Sequence, residues 1–375
     1  MKNKLLITTA LVAVAFSTPT MAEEQKIVVS GGTLTISENI KNVDTTEKGK
    51  AAGAVFNEGT LQIEDSVEFS ENKGQQSAAI YNYNGGKLSA GNNVKFTKNT
   101  ATKSAGGAVQ NFGNAVFGDD VEFNNNTAGW GGAAIYAGGN TTDGHSTIIG
   151  NNAKFINNAL TADDSFGGAI FIENDNKAEN VTLEIGNNAT FENNTAKTEG
   201  GAIYIKDEVT ATLGEGATFK KNSAGQGGAI YTLSDLAINN ATFEENEATQ
   251  SWGGAIFNGS FAEINNSKFS KNKAAYGAAV VSALGSELIL NNSEFTENEA
   301  EEQGTVAVFG KATLSNVDFI QNNTTLASGD GAGALFLGAK SQTTVSGGLF
   351  KGNTSEAEGG AIAMRKASMA NNSAA

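Results

Sequence analysis

The 375-residue chain has no cysteine, one proline, one histidine and one arginine. Without cysteine there is no disulfide framework, so stability must come from a core or from stacked repeats. The one proline, Pro19, stands near the N-terminus, which leaves the rest free of a residue that interrupts backbone ladders. With His145 and Arg365 alone of their kinds, a Ser-His-Asp triad would rest on one residue and a Cys-His pair is excluded. Basic charge is scarce, 25 Lys and Arg against 40 Asp and Glu, net −15. Such a surface repels nucleic acid and anionic lipid, so neither is an expected partner. Long apolar runs are wanting too. The best, Leu5 to Phe16, is too short to span a bilayer. Preceded by Lys2 and Lys4 and followed by Thr20-Met21-Ala22, it reads as a signal peptide over residues 1–22, so the chain is expected to be exported. Its removal leaves 23 basic residues and a net charge of −17.

What the chain has in abundance is repetition. Gly200-Gly201-Ala202-Ile203-Tyr204, Gly227-Gly228-Ala229-Ile230-Tyr231 and Gly253-Gly254-Ala255-Ile256-Phe257 are the cleanest copies of one signature. Further Gly pairs stand at Gly106-Gly107, Gly167-Gly168 and Gly359-Gly360. Aligned on the Ala, the repeat falls at 54, 79, 108, 134, 169, 202, 229, 255, 279, 307, 334 and 361. A period near 27 residues means a stacked architecture, which escapes the size limit of a globular core.

A second signature, Phe-x-x-Asn, interleaves with the first. It stands at Phe69/Asn72, Phe96/Asn99, Phe123/Asn126, Phe155/Asn158, Phe191/Asn194 and Phe219/Asn222. It continues at Phe243/Asn246, Phe269/Asn272, Phe295/Asn298, Phe319/Asn322 and Phe350/Asn353. Each Phe follows a period-2 stretch split by an Asn or Gly pair, as in Leu183 to Phe191 and Leu288 to Phe295. That pattern predicts two short strands with a bend between them, and helical caps are missing. Short strands coiling at one period predict an all-β, parallel β-helix of about twelve coils, roughly 55–60 Å long at ~4.8 Å per coil. The Phe residues should form the main interior column, with the aliphatics after the Ala (Ile203, Ile230, Ile256, Val280, Leu335, Ile362) as a second. The Gly pair should supply a sharp corner, and Asn a turn residue that tolerates left-handed backbone and bonds along its own stack.

Interleaved Gly-Gly-Ala-Ile and Phe-x-x-Asn over residues 52–375 resemble the repeats of the polymorphic outer membrane protein family, an autotransporter group. The resemblance implies a right-handed parallel β-helix passenger, displayed on or released from a Gram-negative-type outer membrane. It also implies adhesion to host cells through an unknown protein or glycan receptor, with no cofactor. Residues 23–51 would then be an N-terminal cap or first coil. Family members carry a C-terminal outer-membrane β-barrel, and none is visible here. The repeats run to Met369-Ala370-Asn371-Asn372, a degenerate next copy, so the translocator is expected on a longer or separate chain.

Candidate sites are few. His145, in a polar Gly-rich insertion, reads as a solvated loop residue. Some parallel β-helices are polysaccharide lyases and hydrolases, which makes an enzyme the alternative. The acidic pairs Asp119-Asp120 and Asp163-Asp164 fall in bends of different coils, and calcium-binding Gly-Gly-x-Gly-x-Asp repeats are absent. The aromatics after Ala-Ile, at Phe56, Tyr81, Tyr136, Phe171, Tyr204, Tyr231, Phe257, Phe309 and Phe336, should lie on the opposite side of the strand from the Ile column. They form either a partly exposed binding stripe, centred on Tyr136 to Phe257, or a stack covered by loops. Recognition is otherwise expected on the longer loops 137–148, 159–168 and 173–182.

Overall fold

The computed structural model describes residues 6–7, 12–13, 27–46, 53–138, 144–174, 178, 180–327 and 331–365. Among these there are strands, turns and bends, and every strand pairing is parallel. The leader expectation, residues 1–22, lies outside them save for Leu6–Ile7 and Val12–Ala13, which pair with Val28–Val29 and Leu34–Thr35. The degenerate repeat at 369–372 also lies outside them.

Three sheets run the length of the coil, and period-2 alternation decides which residues each buries. The first contains the Ile strands, from Ile27–Val29 through Ile203–Ile205 to Ile362–Met364. The third contains the Phe strands, from Ile40–Lys41 to Phe350–Lys351. The second lies between them and is broken: eight strands reach Thr210–Leu213, and five more run from Leu236–Asn239 to Gln342–Ser346. A short segment after each Asn leads back to the first sheet, as at Thr127–Ala128 and Ser223–Ala224. Residues 27–46 follow the same pattern, with one strand in each of the three sheets.

The break has a covalent cause. From the last inward residue of the second sheet to the Phe there are six positions up to Leu213–Phe219, and five from Ile238–Phe243 onward. A coil that loses one corner residue cannot hold the ladder of the coil before it. A small void of about 10 Å³ remains there, lined by Leu183, Ile205, Ala211, Leu213 and Leu236 among others.

The interior is one continuous apolar cluster. Ten consecutive pairs of the Phe column stack with ring centroids 4.6–5.2 Å apart and planes within 19°. Burying each ring contributes roughly 1.5–3 kcal/mol. The Ile column is buried from Val55 to Leu335, while Ile362, in the last described coil, is exposed.

One repeat is shifted from its expected place. Val306 pairs with Val280 and Leu335, so Thr305 takes the Ala position of that coil. Ala307 then stands beside Phe336 in the aromatic row, and Phe309 lies beyond the strand in the following corner. The Gly-Thr-Val-Ala-Val sequence offers two alternating registers, and the inward facing of Val306 and Val308 selects this one.

Candidate functional site

The repeat motifs sit at corners and in the core. In Gly106, Gly167, Gly200, Gly227 and Gly253 the backbone is left-handed, with φ between 58° and 69°. The partner glycine meets the next coil: a Cβ on Gly168 or Gly201 would lie 2.0 Å from the carbonyl oxygen of Gly201 or Gly228. One glycine of each pair therefore supplies the turn and the other the close approach. The last pair departs from this, since Gly359 is not left-handed and a Cβ on Gly360 would come no nearer than 3.2 Å.

The Asn column is a saturated ladder. From Asn72 to Asn322, each Nδ2 donates to the Oδ1 of the Asn one coil on, at 2.9–3.0 Å. The same Oδ1 accepts the backbone N–H of the previous Asn, as in Asn194 to Asn222. The second Nδ2 hydrogen goes to a Phe carbonyl, as from Asn222 to Phe191.

The expectation that this Asn is itself the left-handed turn residue is corrected along the whole column. Asn72, Asn99, Asn126, Asn158 and Asn194 keep ordinary backbone and are wholly buried rather than set at the surface of a bend. The same correction holds for Asn222, Asn246, Asn272, Asn298 and Asn322. The left-handed residue is instead the one before each of them: Glu71, Lys98, Asn125, Asn157, Asn193, Lys221, Glu245, Lys271, Glu297 and Gln321, with φ of 54–58°. That residue turns the chain, and the turn carries the following side chain inward, where each carboxamide meets its copies above and below. The Asn is retained for its carboxamide, whose donors and acceptor the ladder uses in full. These residues are therefore structural, with no polar atom left over for a ligand.

The aromatic row is on the outer side of the first sheet, but it is covered. Tyr136, Phe171 and Tyr204 are buried, whereas Tyr231 and Phe257 are half-buried. Trp130 packs against Tyr136 and Phe171 at 5.1 and 5.8 Å, and Phe166 against Tyr204 at 5.6 Å. These rings precede the Gly corner, which turns them back over the sheet. Burial pushes the Tyr231 and Tyr81 hydroxyls up to about 12, and that of Tyr204 further still. Of the two readings, the covered stack is the one found from Tyr136 to Tyr204, a second, external core, and the row is interrupted at Gln110, Val281 and Ala307.

His145 is also corrected. It is 2% exposed, with Nε2 3.2 Å from the carbonyl oxygen of Glu173. The backbone after it enters the coil as Ser146–Ile149, and the side chain follows it inward. Burial holds its imidazole below the ordinary value of 6.5. Glu173, itself buried, accepts from the Tyr136 hydroxyl and pairs with Lys206 at 3.2 Å. This pairing gives the buried carboxylate the partners it requires. It ties three successive coils together at the corner from which loops 137–148 and 173–182 leave.

The acidic pairs do not meet. Asp119 and Asp120 stand at the corner between second and third sheets, where Asp119 accepts from the Asn151 backbone at 2.7 Å. Asp163 and Asp164 stand before the Gly corner of another coil. Among the described residues no cluster of His, Cys, Asp or Glu is arranged to hold a metal ion.

One ligand-sized feature lies elsewhere, on the corner between first and second sheets in the later coils. There Gly259–Ser260 and Phe309–Gly310 make two-residue corners, whereas Ala283–Ser286 and Gly338–Ser341 make four-residue ones. Longer corners project on either side of the short one and leave a notch of about 640 Å³. Trp252, Phe257, Val281, Ala283, Leu284, Phe309 and Ala339 give it an apolar lining, and Lys340 and Arg365 give it positive charge. That volume is within the range of ligand sites. Of the expected stripe only Phe257 contributes here, and Phe309 does so from its displaced position. The signal for the notch was the alternation of corner lengths.

Comparison with known proteins agrees with this architecture. Residues 179–350 match the model of the right-handed beta helix region, and residues 120–138 match that of the Chlamydia polymorphic membrane protein repeat. No curated protein and no solved structure matches the chain. Residues 120–138 hold both signatures, Phe123 to Asn126 and Gly131 to Ile135, and the later coils that match the beta helix region carry the same pair. The chain thus carries the repeat of the polymorphic outer membrane proteins on a right-handed β-helix.

Proposed function

We propose that this protein is an adhesin, exported by its leader and displayed at the surface of a Gram-negative-type cell, where it binds a receptor on another cell without catalysing a reaction. The family repeat on a β-helix supports a surface-exposed protein of the polymorphic membrane protein kind and is compatible with a non-enzymatic role. The observation that carries the finer reading is the division of labour along the coil. Repeat residues are consumed by corners, columns and ladders, and the ligand-sized notch is apolar and cationic, with no carboxylate, hydroxyl, thiol or imidazole in its lining. A long rigid scaffold also favours multivalent contact.

The test is attachment. Beads carrying the full chain should bind cultured epithelial cells saturably, and antibody to the chain should label unpermeabilised producing cells. Beads that bind no better than blank ones would sink the adhesin reading, and labelling only after permeabilisation would sink surface display.

A further inference from the structure

We propose that the notch between the corners Ala283–Ser286 and Gly338–Ser341 is a docking site for a polypeptide segment that places a large apolar side chain next to a carboxylate. This rests on the reading of the chain as a surface binding protein and names the partner chemistry of that site.

The lining decides the chemistry. Trp252, Phe257 and Phe309 form an aromatic floor, with Trp252 edge-on to Phe309 at 5.3 Å and tilted over Tyr276 at 4.8 Å. Leu284, 78% exposed, stands at the rim. A large apolar side chain entering here would remove that surface from water and gain aromatic contact. A neutral sugar is a poor occupant. The lining offers its hydroxyls the two cationic donors and no side-chain acceptor, so hydroxyls laid on the aromatic floor would lose water without a partner.

Charge supplies the second half of the argument. In a chain of net charge −15 this notch is lined by two cations and no acid. Lys340 forms no ion pair among the described residues, unlike lysines 41, 95, 98, 206, 220, 221, 271 and 273. A carboxylate adjoining the apolar anchor would complement that field and orient the segment. The notch is an open groove at a corner, so a chain can pass through it with residues on either side.

The probe is a fluorescein-labelled octapeptide alternating Leu-Phe with Asp-Glu, read by anisotropy on the full chain. Two sister peptides replace Asp-Glu by Asn-Gln or by Lys-Lys, and an oligogalacturonate serves as competitor. The acidic peptide is expected to bind about tenfold more tightly than the neutral one, and to weaken as salt rises. Leu284→Asp, at an exposed rim, should weaken it by about tenfold or more. Lys340→Glu should lower binding of the acidic peptide and raise that of the basic one. Equal binding of all three peptides, no binding at millimolar concentration, or indifference to Lys340→Glu would overturn the proposal. Displacement by oligogalacturonate with no loss in Leu284→Asp would assign the site to acidic glycan instead. Cell attachment retained by Leu284→Asp would remove the notch from adhesion while leaving the adhesin reading intact.

Discussion

At the residue scale the fold depends on side chains that stack on copies of themselves. Phe191 is wholly buried between Phe155 and Phe219, with centroids at 4.7 and 4.8 Å. Phe191→Ala should therefore lower the free energy of unfolding by roughly 3–5 kcal/mol in a denaturant titration. A cost below ~1 kcal/mol would mean that the ring is not interior. Asn222 is as strongly held. Asn222→Ala would strand the amide groups of Asn194 and the carbonyl of Phe191, and should cost about 3–5 kcal/mol. Asn353, half-buried at the last described rung, accepts from Asn322 and donates to Phe319 where water can compete, and its loss should cost roughly 1 kcal/mol.

His145 gives a pH dependence with a definite sign. Its folded value is depressed, so the unfolded chain takes up a proton first as pH falls. The contribution is fully present above about 6.5 and is lost as pH drops from there through the folded value. Unfolding midpoints of the wild type and His145→Gln, compared between pH 8 and 5, should show the wild type losing more stability in that window. Parallel curves would contradict its burial as the neutral form. Sequence could not reveal this: the polar, Gly-rich neighbours of His145 describe its loop, while the Glu173 carbonyl that its Nε2 meets lies one coil away. The left-handed position before each Asn was hidden for a similar reason. Glu, Lys, Asn and Gln all occupy it, because the turn is imposed by the ladder and not by one residue type.

At the scale of strands and corners, the period and its two signatures made the sheet order legible. A repeat that returns equivalent residues every coil leaves one parallel register. The exception was the Ala307 repeat, where alternating Val offers two registers and only packing chooses. Gly201→Ala tests the corner geometry, since its Cβ would need 2.0 Å from the Gly228 oxygen. It should destabilise by more than ~2 kcal/mol, beyond any propensity gain from alanine. At the broken second sheet, Ala211 occupies the place that Leu183 fills one coil earlier, beside the small void. Ala211→Val should be neutral or stabilising by up to ~1 kcal/mol, and a large loss would mean the void is already closed.

For the whole molecule, repetition builds the scaffold and irregularity builds the site. The aromatic row looked like a surface because alternation places it outside the coil. Trp130 and Phe166, which close it, are single residues outside the repeat. The notch shows in the sequence only as a difference between neighbouring corners of two and four residues, which has no meaning until the coils are stacked. The most direct measurement compares cell attachment and unfolding midpoint for the full chain carrying Leu284→Asp with Lys340→Glu. The expected result is loss of attachment with an unchanged midpoint. Undiminished attachment of that folded variant would contradict the assignment of recognition to the notch.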